Sequence, residues 1–293
     1  MSLAPAETSW GDEYPFASHW IEVEDARMHY LDEGPRNAPV LLMVHGNPTW
    51  SFYYRNLVKA FRDEYRCVVP DHVGCGLSDK PQDYDYTLRR RIDDLEGLVT
   101  HLGIDRFSLV VHDWGGAIGM GLAARRPAAV HKLVVFNTAA FRDTRIPFSI
   151  NICKVPGFGD LAVRGLNGFV LAAQIRAIYD RSKLRGPVRE AYLAPYDSWA
   201  NRVAIHRFVK DIPMSPSHPT WDTLGEVEAA LPEFRDRPML IVWGDDDFCF
   251  DPHFRQRWEQ LFPDAEVHAL ADASHFVVED ATERVIEWMR DFL

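Results

Sequence analysis

The stretch Leu109–Val110–Val111–His112–Asp113–Trp114–Gly115–Gly116 decides how the rest of the chain is read. Its first half is a short apolar run rich in β-branched residues, the pattern of a buried strand in a parallel sheet. The glycines, with Ala117 and Gly119 beyond them, open a helix that must pack tightly. Asp113 stands between the two, where the strand–turn–helix pattern G-x-S-x-G puts a serine; Val111 replaces the first glycine. A sharp turn here lifts the carboxylate out of the sheet and onto a helix N-terminus, whose N–H groups stabilise an anion. A carboxylate is already ionised at neutral pH. It can displace a leaving group from carbon directly, forming an ester that water must then hydrolyse. An Asp before a helix is also a common N-cap, and the octapeptide alone carries both readings.

Working outward, His19–Glu24 and Met28–Leu31 alternate like two antiparallel strands. Pro39–Val44 reads as a buried strand, followed by a helix over Phe52–Arg62. Arg66–Pro70 is another strand, running into the glycine-rich turn Asp71–Ser78. Thr87 is placed to N-cap a long helix to Leu102. Lys132–Phe136, Pro238–Trp243 and Glu266–Leu270 are further strands, with helices near Pro252–Leu261 and Ala281–Leu293. Strands alternating with helices predict a doubly wound α/β fold with a mostly parallel sheet. The alternation lapses between 140 and 216, where only helical patterns broken by Gly and Pro occur. Residues 1–139 and 217–293 therefore read as an α/β core, and 140–216 as an inserted helical cap.

Composition removes several function classes. The net charge is −11, and the longest basic run is Arg89–Arg90–Arg91, which reads as a solvated helix face. That balance argues against nucleic acid and against stable association with an anionic membrane. Cys67, Cys75, Cys153 and Cys249 are scattered with no C-x-x-C, which fits buried thiols in a reducing compartment and neither disulfides nor a metal site. No run approaches the roughly 20 apolar residues of a membrane span, and the N-terminus lacks the apolar stretch of a signal peptide. A cytoplasmic protein is expected, needing no metal or other cofactor.

Asp113 requires partners later in the chain, in the order nucleophile, acid, histidine. His275 follows the last strand, at the sheet edge where Asp113 sits and where ligands bind in open α/β sheets. Asp245, Asp246 and Asp247 follow the strand Pro238–Trp243, and any of the three can orient an imidazole. Asn47 follows the strand ending at Val44. Its backbone N–H, with that of Trp114, can complete an oxyanion hole. The Asn47 amide and the Trp114 indole are uncharged donors of the type a departing halide needs.

Taken together, His45–Gly46–Asn47–Pro48–Thr49–Trp50–Ser51, His112–Asp113–Trp114–Gly115–Gly116, Trp243–Gly244–x–x–Asp247 and His275 resemble the haloalkane dehalogenases over nearly the whole chain. The resemblance implies an α/β-hydrolase fold: a mostly parallel eight-stranded sheet, helices on both faces and a helical cap. It implies Asp113 as nucleophile, His275 as base, Asp247 as the triad acid, and Asn47 with Trp114 as halide clamp. One branch of that family instead carries a Glu after the preceding strand, where this chain reads Phe136–Asn137–Thr138–Ala139. Members of the matching branch also decarboxylate β-lactones in bacterial long-chain olefin synthesis. They too resemble this chain, at Trp50–Arg55 and Asp71–Pro81. The expected activity is hydrolytic dehalogenation through an aspartyl ester, with β-lactone decarboxylation as the alternative; either substrate is small and apolar.

An epoxide hydrolase would share the Asp113 motif, but an aromatic would normally stand at Asn47, and two cap tyrosines would protonate the epoxide. Tyr179, Tyr192 and Tyr196 are available, and each is equally well a core residue. A non-catalytic receptor on the same scaffold would usually lack a triad member. The expected pocket lining is drawn from Phe141, Phe148, Phe169, Ile175, Ile178, Trp199 and Phe276, with Trp199 placed by preference in the core.

Overall fold

The computed structural model describes residues 5–293. Eight strands form one sheet in the order β1-β2-β4-β3-β5-β6-β7-β8: β1 (His19–Val23), β2 (Ala26–Glu33), β3 (Val40–Val44), β4 (Arg66–Pro70), β5 (Phe107–Asp113), β6 (Val130–Thr138), β7 (Met239–Gly244) and β8 (Glu266–Leu270). β1 and β2 pair as an antiparallel hairpin, β2 pairs antiparallel with β4, and every other pairing is parallel.

The central strands are apolar throughout because both faces are covered. Leu42, Val44, Leu109, Val111, Leu133 and Val135 point into one core cluster; Leu41, Met43, Val110, Val134 and Phe136 point into another. That is the two-residue period of a strand sorted between two layers. On the first face lie α1 (Leu88–His101) and α2 (Trp114–Arg125). Helices Arg55–Phe61 and Thr282–Phe292 cover the second. The Thr87 hydroxyl accepts from Arg90 N, so the expected N-cap forms. Arg91, expected on a solvated face, is buried with its guanidinium 3.4 Å from the Phe208 ring centroid.

Between β6 and β7 the described backbone is helical. Ile150, Val163, Val170, Tyr196, Ile205 and Val209 form a separate small core there. One helix was not anticipated: Thr220–Ala230, which packs on α2 through Leu224 and Val227. Among the described residues no helix is long and apolar enough to cross a membrane.

The chain passes from β3 to β4 on one side and then to β5 on the other, so β3 and β5 flank the point where strand order reverses. Crevices at such points, off the C-terminal strand ends, are where ligands bind in open α/β sheets. Asn47 follows β3 and Asp113 ends β5.

Candidate active site

Asp113 has φ +52° and ψ −129°, a backbone conformation that side chains rarely adopt. Surrounding contacts enforce it. The Thr138 hydroxyl donates to the Asp113 carbonyl, and α2 begins at the next residue. A Cβ at Gly115 would come within 2.0 Å of the Val44 carbonyl oxygen, so only glycine lets α2 approach β3 this closely. A Cβ at Gly46 would meet Asp113 Oδ1 at 2.1 Å; its absence leaves room for the carboxylate.

The backbone N–H of Asn47 donates to Asp113 Oδ1 at 2.5 Å, and that of Trp114 also bonds the carboxylate. Burial pushes the Asp113 pKa above the ordinary carboxylate value, while His275 and the two N–H groups pull it back part of the way. These two N–H groups are the ones that would hold an oxyanion formed on the Asp113 carbonyl carbon.

His275 Nδ1 donates to Asp247 Oδ2 at 2.7 Å. A carboxylate only accepts, so Nδ1 carries a proton, and Nε2, where the second proton is gained or lost, lies 3.6 Å from Asp113 Oδ2. Burial alone would lower the His275 pKa; Asp247 and Asp113 outweigh it and raise the pKa above the usual imidazole value. The ring stacks on Phe250, and the His275 carbonyl accepts from His112 Nε2 at 2.8 Å.

The three candidate acids separate cleanly. Asp246 is exposed, Asp245 pairs with Arg255, and Asp247 is buried against His275. Asp247 Oδ1 accepts from Cys249 N at 2.7 Å, and Oδ2 accepts from Asn137 Nδ2 at 3.0 Å. Asn137 also brackets the end of β7, donating to the Gly244 carbonyl and accepting from its N–H, each at 2.9 Å. By sequence alone Asn137 marks only the lack of a carboxylate after β6. It is a positioning residue for Asp247.

The Asn47 side chain is committed to the helical segment above it: Nδ2 donates to the Ile205 carbonyl at 3.3 Å, and Oδ1 is buried without a partner. The Trp114 ring packs on Phe208, with centroids 5.5 Å apart.

Two cavities meet at Asp113. One, of about 120 Å³, runs along Trp114, Phe141, Ile146, Val209, Ile212 and Leu224. The other, of about 310 Å³, runs past Pro48, His275, Phe158, Ala172, Ala173 and Arg176. Asn47, Asp113, Ile150, Phe169 and Cys249 border both. Burial raises the Cys249 thiol far above its usual pKa, so it stays protonated. Among the described residues no cluster of His, Cys, Asp or Glu could hold a metal ion.

Of the expected lining residues, Phe141 and Phe169 border the cavities; five others do not. Ile178 and Phe276 are buried in the core under the second sheet face. Phe148, Ile175 and Trp199 are exposed on the surface of the helical segment between β6 and β7, and Trp199 lies against Arg164 and not in the core. Apolarity explains the error: it marks residues that avoid water without saying whether core, cavity or partner covers them. Tyr192 donates to Glu279 and Tyr196 to the Thr49 carbonyl, while Tyr179 is exposed. None of the three borders either cavity, which leaves no tyrosine pair to protonate an epoxide.

Comparison with known proteins places this geometry. The α/β hydrolase fold family model matches residues 39–282. A cis-3-alkyl-4-alkyloxetan-2-one decarboxylase of Shewanella oneidensis is 47% identical over 95% of this chain and 89% of its own length. A namesake from Xanthomonas campestris is 44% identical, covering 96% and 97%. Haloalkane dehalogenase 2 of Mycobacterium bovis is 32% identical over 93% of each chain. The crystal structure of a haloalkane dehalogenase from Bradyrhizobium elkani superposes with a TM-score of 0.84 at 27% identity, covering 94% of this chain and 98% of that one. The chain belongs to the α/β hydrolase fold family, in the branch that holds these decarboxylases and dehalogenases.

Proposed function

We propose that the protein is a cytoplasmic β-lactone decarboxylase that uses Asp113 to convert a cis-3,4-dialkyl oxetan-2-one into a cis-olefin and carbon dioxide. Residues 140–216 act as a cap over a core made of 1–139 and 217–293. The observation that carries this reading is the pair of apolar cavities diverging from Asp113. A ring bearing two alkyl chains on adjacent carbons needs two arms; a simple haloalkane needs one. The greater similarity to the two decarboxylases than to the dehalogenase supports the same choice.

The chemistry follows from the site. An Asp113 oxygen attacks C4 in line, C4–O1 breaks with inversion, and the ring opens to an Asp113 ester bearing a carboxylate on C3. The Trp114 indole N–H and the Asn47 amide hydrogen not given to Ile205 hold that carboxylate as they would a halide. In an apolar cavity the carboxylate is poorly solvated, which favours its loss. The C2–C3 pair then forms the C3=C4 bond, CO2 leaves, and C4–O(Asp113) breaks anti to it. Inversion followed by anti loss preserves cis geometry. Asp113 returns ionised, and no water or net proton is consumed.

The same residues support haloalkane hydrolysis, and the uncharged Asn47 and Trp114 donors are the observation favouring it. There, His275 would deprotonate water for attack on the ester carbonyl while the N–H groups of Asn47 and Trp114 hold the oxyanion. Assaying the purified protein in parallel with a cis-dialkyl-β-lactone and 1-bromobutane tests the choice. The proposal expects olefin and CO2 at a kcat/KM at least about tenfold above that for bromide release, a difference of roughly 1.4 kcal/mol in barrier. Bromide release without olefin would reverse it.

A further inference from the structure

We propose that the exposed face of residues 148–199 docks the protein on an anionic lipid surface, with the mouth of the larger cavity turned to the lipid.

Two independent observations coincide on this face. Ten large hydrophobic residues are exposed among the described residues, and nine of them lie between Phe148 and Trp199; only Trp20 is elsewhere. Phe148 is 79% and Leu166 68% exposed. Soluble proteins scatter such residues singly, and a concentration of them marks an interaction site. The second observation is charge. Residues 148–199 hold seven Lys/Arg and four Asp/Glu, whereas the rest of the chain holds 25 and 39. This stretch is thus +3 on a body of −14, a division that the whole-chain value of −11 conceals.

The cations sit among the apolar residues. Arg164 stacks on Trp199 at 4.8 Å, Arg176 donates to Ser149 beside Phe148, and Arg181 donates to the Ile175 carbonyl. Arg185 and Arg189 are exposed, and none of these five arginines makes an ion pair among the described residues. Apolar side chains with arginines between them fit an interface in which the former enter the acyl boundary and the latter meet phosphate. Anionic lipid attracts such a patch electrostatically. A second copy would present the same positive face, so self-association across it is opposed by like charge.

The cavity gives the docking a purpose. Phe158, Ala172 and Arg176 border the larger cavity and are themselves exposed, so this face carries its mouth. This purpose rests on the lactone reading above: a lactone with long alkyl chains resides in lipid, and a cavity opening onto lipid admits it without passage through water.

The test is sedimentation of the full-length protein with phosphatidylcholine vesicles, with and without phosphatidylglycerol, at low and high salt and without substrate. Because no turnover is involved, its outcome is separate from the chemistry at Asp113. Binding is expected to be about tenfold stronger with phosphatidylglycerol and to fall at high salt as screening sets in. Leu161→Ser with Leu166→Ser, and separately Arg185→Glu with Arg189→Glu, should each weaken it about tenfold while turnover of a short soluble substrate is unchanged. Failure to sediment with anionic vesicles at low salt overturns the proposal, as does equal binding to neutral vesicles by all variants. A face covered by a second copy, seen as a dimer that vesicles cannot dissociate, also overturns it.

Discussion

His275 Nε2 stands 3.6 Å from Asp113 Oδ2, beyond hydrogen-bond length, while its Nδ1 is held at 2.7 Å by Asp247. The imidazole is therefore fixed by one carboxylate and stands off from the other, which under the proposed chemistry leaves Asp113 free to attack and Nε2 free to meet a later arrival.

This arrangement predicts different acid limbs for the two chemistries. Ester hydrolysis needs neutral His275, whose pKa is raised, so bromoalkane turnover should fall as pH drops through a value above about 6.5. Lactone decarboxylation needs only ionised Asp113. Its rate should persist to lower pH and fall through the Asp113 pKa, itself above about 3.9 because the group is buried. Rate profiles for both substrates check this; coincident limbs would count against the water-free route.

Replacing His275 by Phe separates the same steps. With a bromoalkane, the alkyl ester should accumulate on Asp113 as a mass increase, and turnover should stop after one equivalent. With the lactone, multiple turnovers should continue, because collapse of the ester requires no base.

Asn137→Leu tests the positioning of Asp247. It deletes a donor to Asp247 and leaves the Gly244 N–H and carbonyl without their side-chain partner. Unpaired buried groups of this kind cost about 1–3 kcal/mol each. Denaturant unfolding should show a loss of that order. Hydrolytic kcat should fall about tenfold or more as His275 loses its fixed orientation, with little change in KM.

The two-arm reading predicts separable specificity. Ile146→Trp narrows the smaller cavity and Ala172→Trp the larger. Each should reduce kcat/KM about tenfold for lactones carrying a long chain at one ring carbon and spare those with it at the other. Equal effects on both isomers would show that a single arm holds both chains.

Much of this was legible in the chain. The β5 run and the Thr87 cap are local signals, and both appear in the structure, which also brings Asp113, Asp247 and His275 together. Asn137 was not legible, since its partner is 110 residues away and an Asn at a strand end suggests nothing by itself. The helix Thr220–Ala230 was missed although Leu224, Val227 and Leu231 recur at helical spacing. Gly225 interrupts it, at a helix cost of about 1 kcal/mol. Phe148, Ile175 and Trp199 were misplaced because side-chain type reports aversion to water, while which element covers a side chain is decided by tertiary packing.

The most direct test is one turnover of a cis-dialkyl-β-lactone in H2(18)O with enzyme in excess, followed by mass analysis of the peptide containing Asp113. An early acid quench should find the peptide heavier by the whole lactone, and the completed reaction should return Asp113 without heavy oxygen alongside cis-olefin. Heavy oxygen in the Asp113 carboxylate, or the adduct on another residue, would contradict the account.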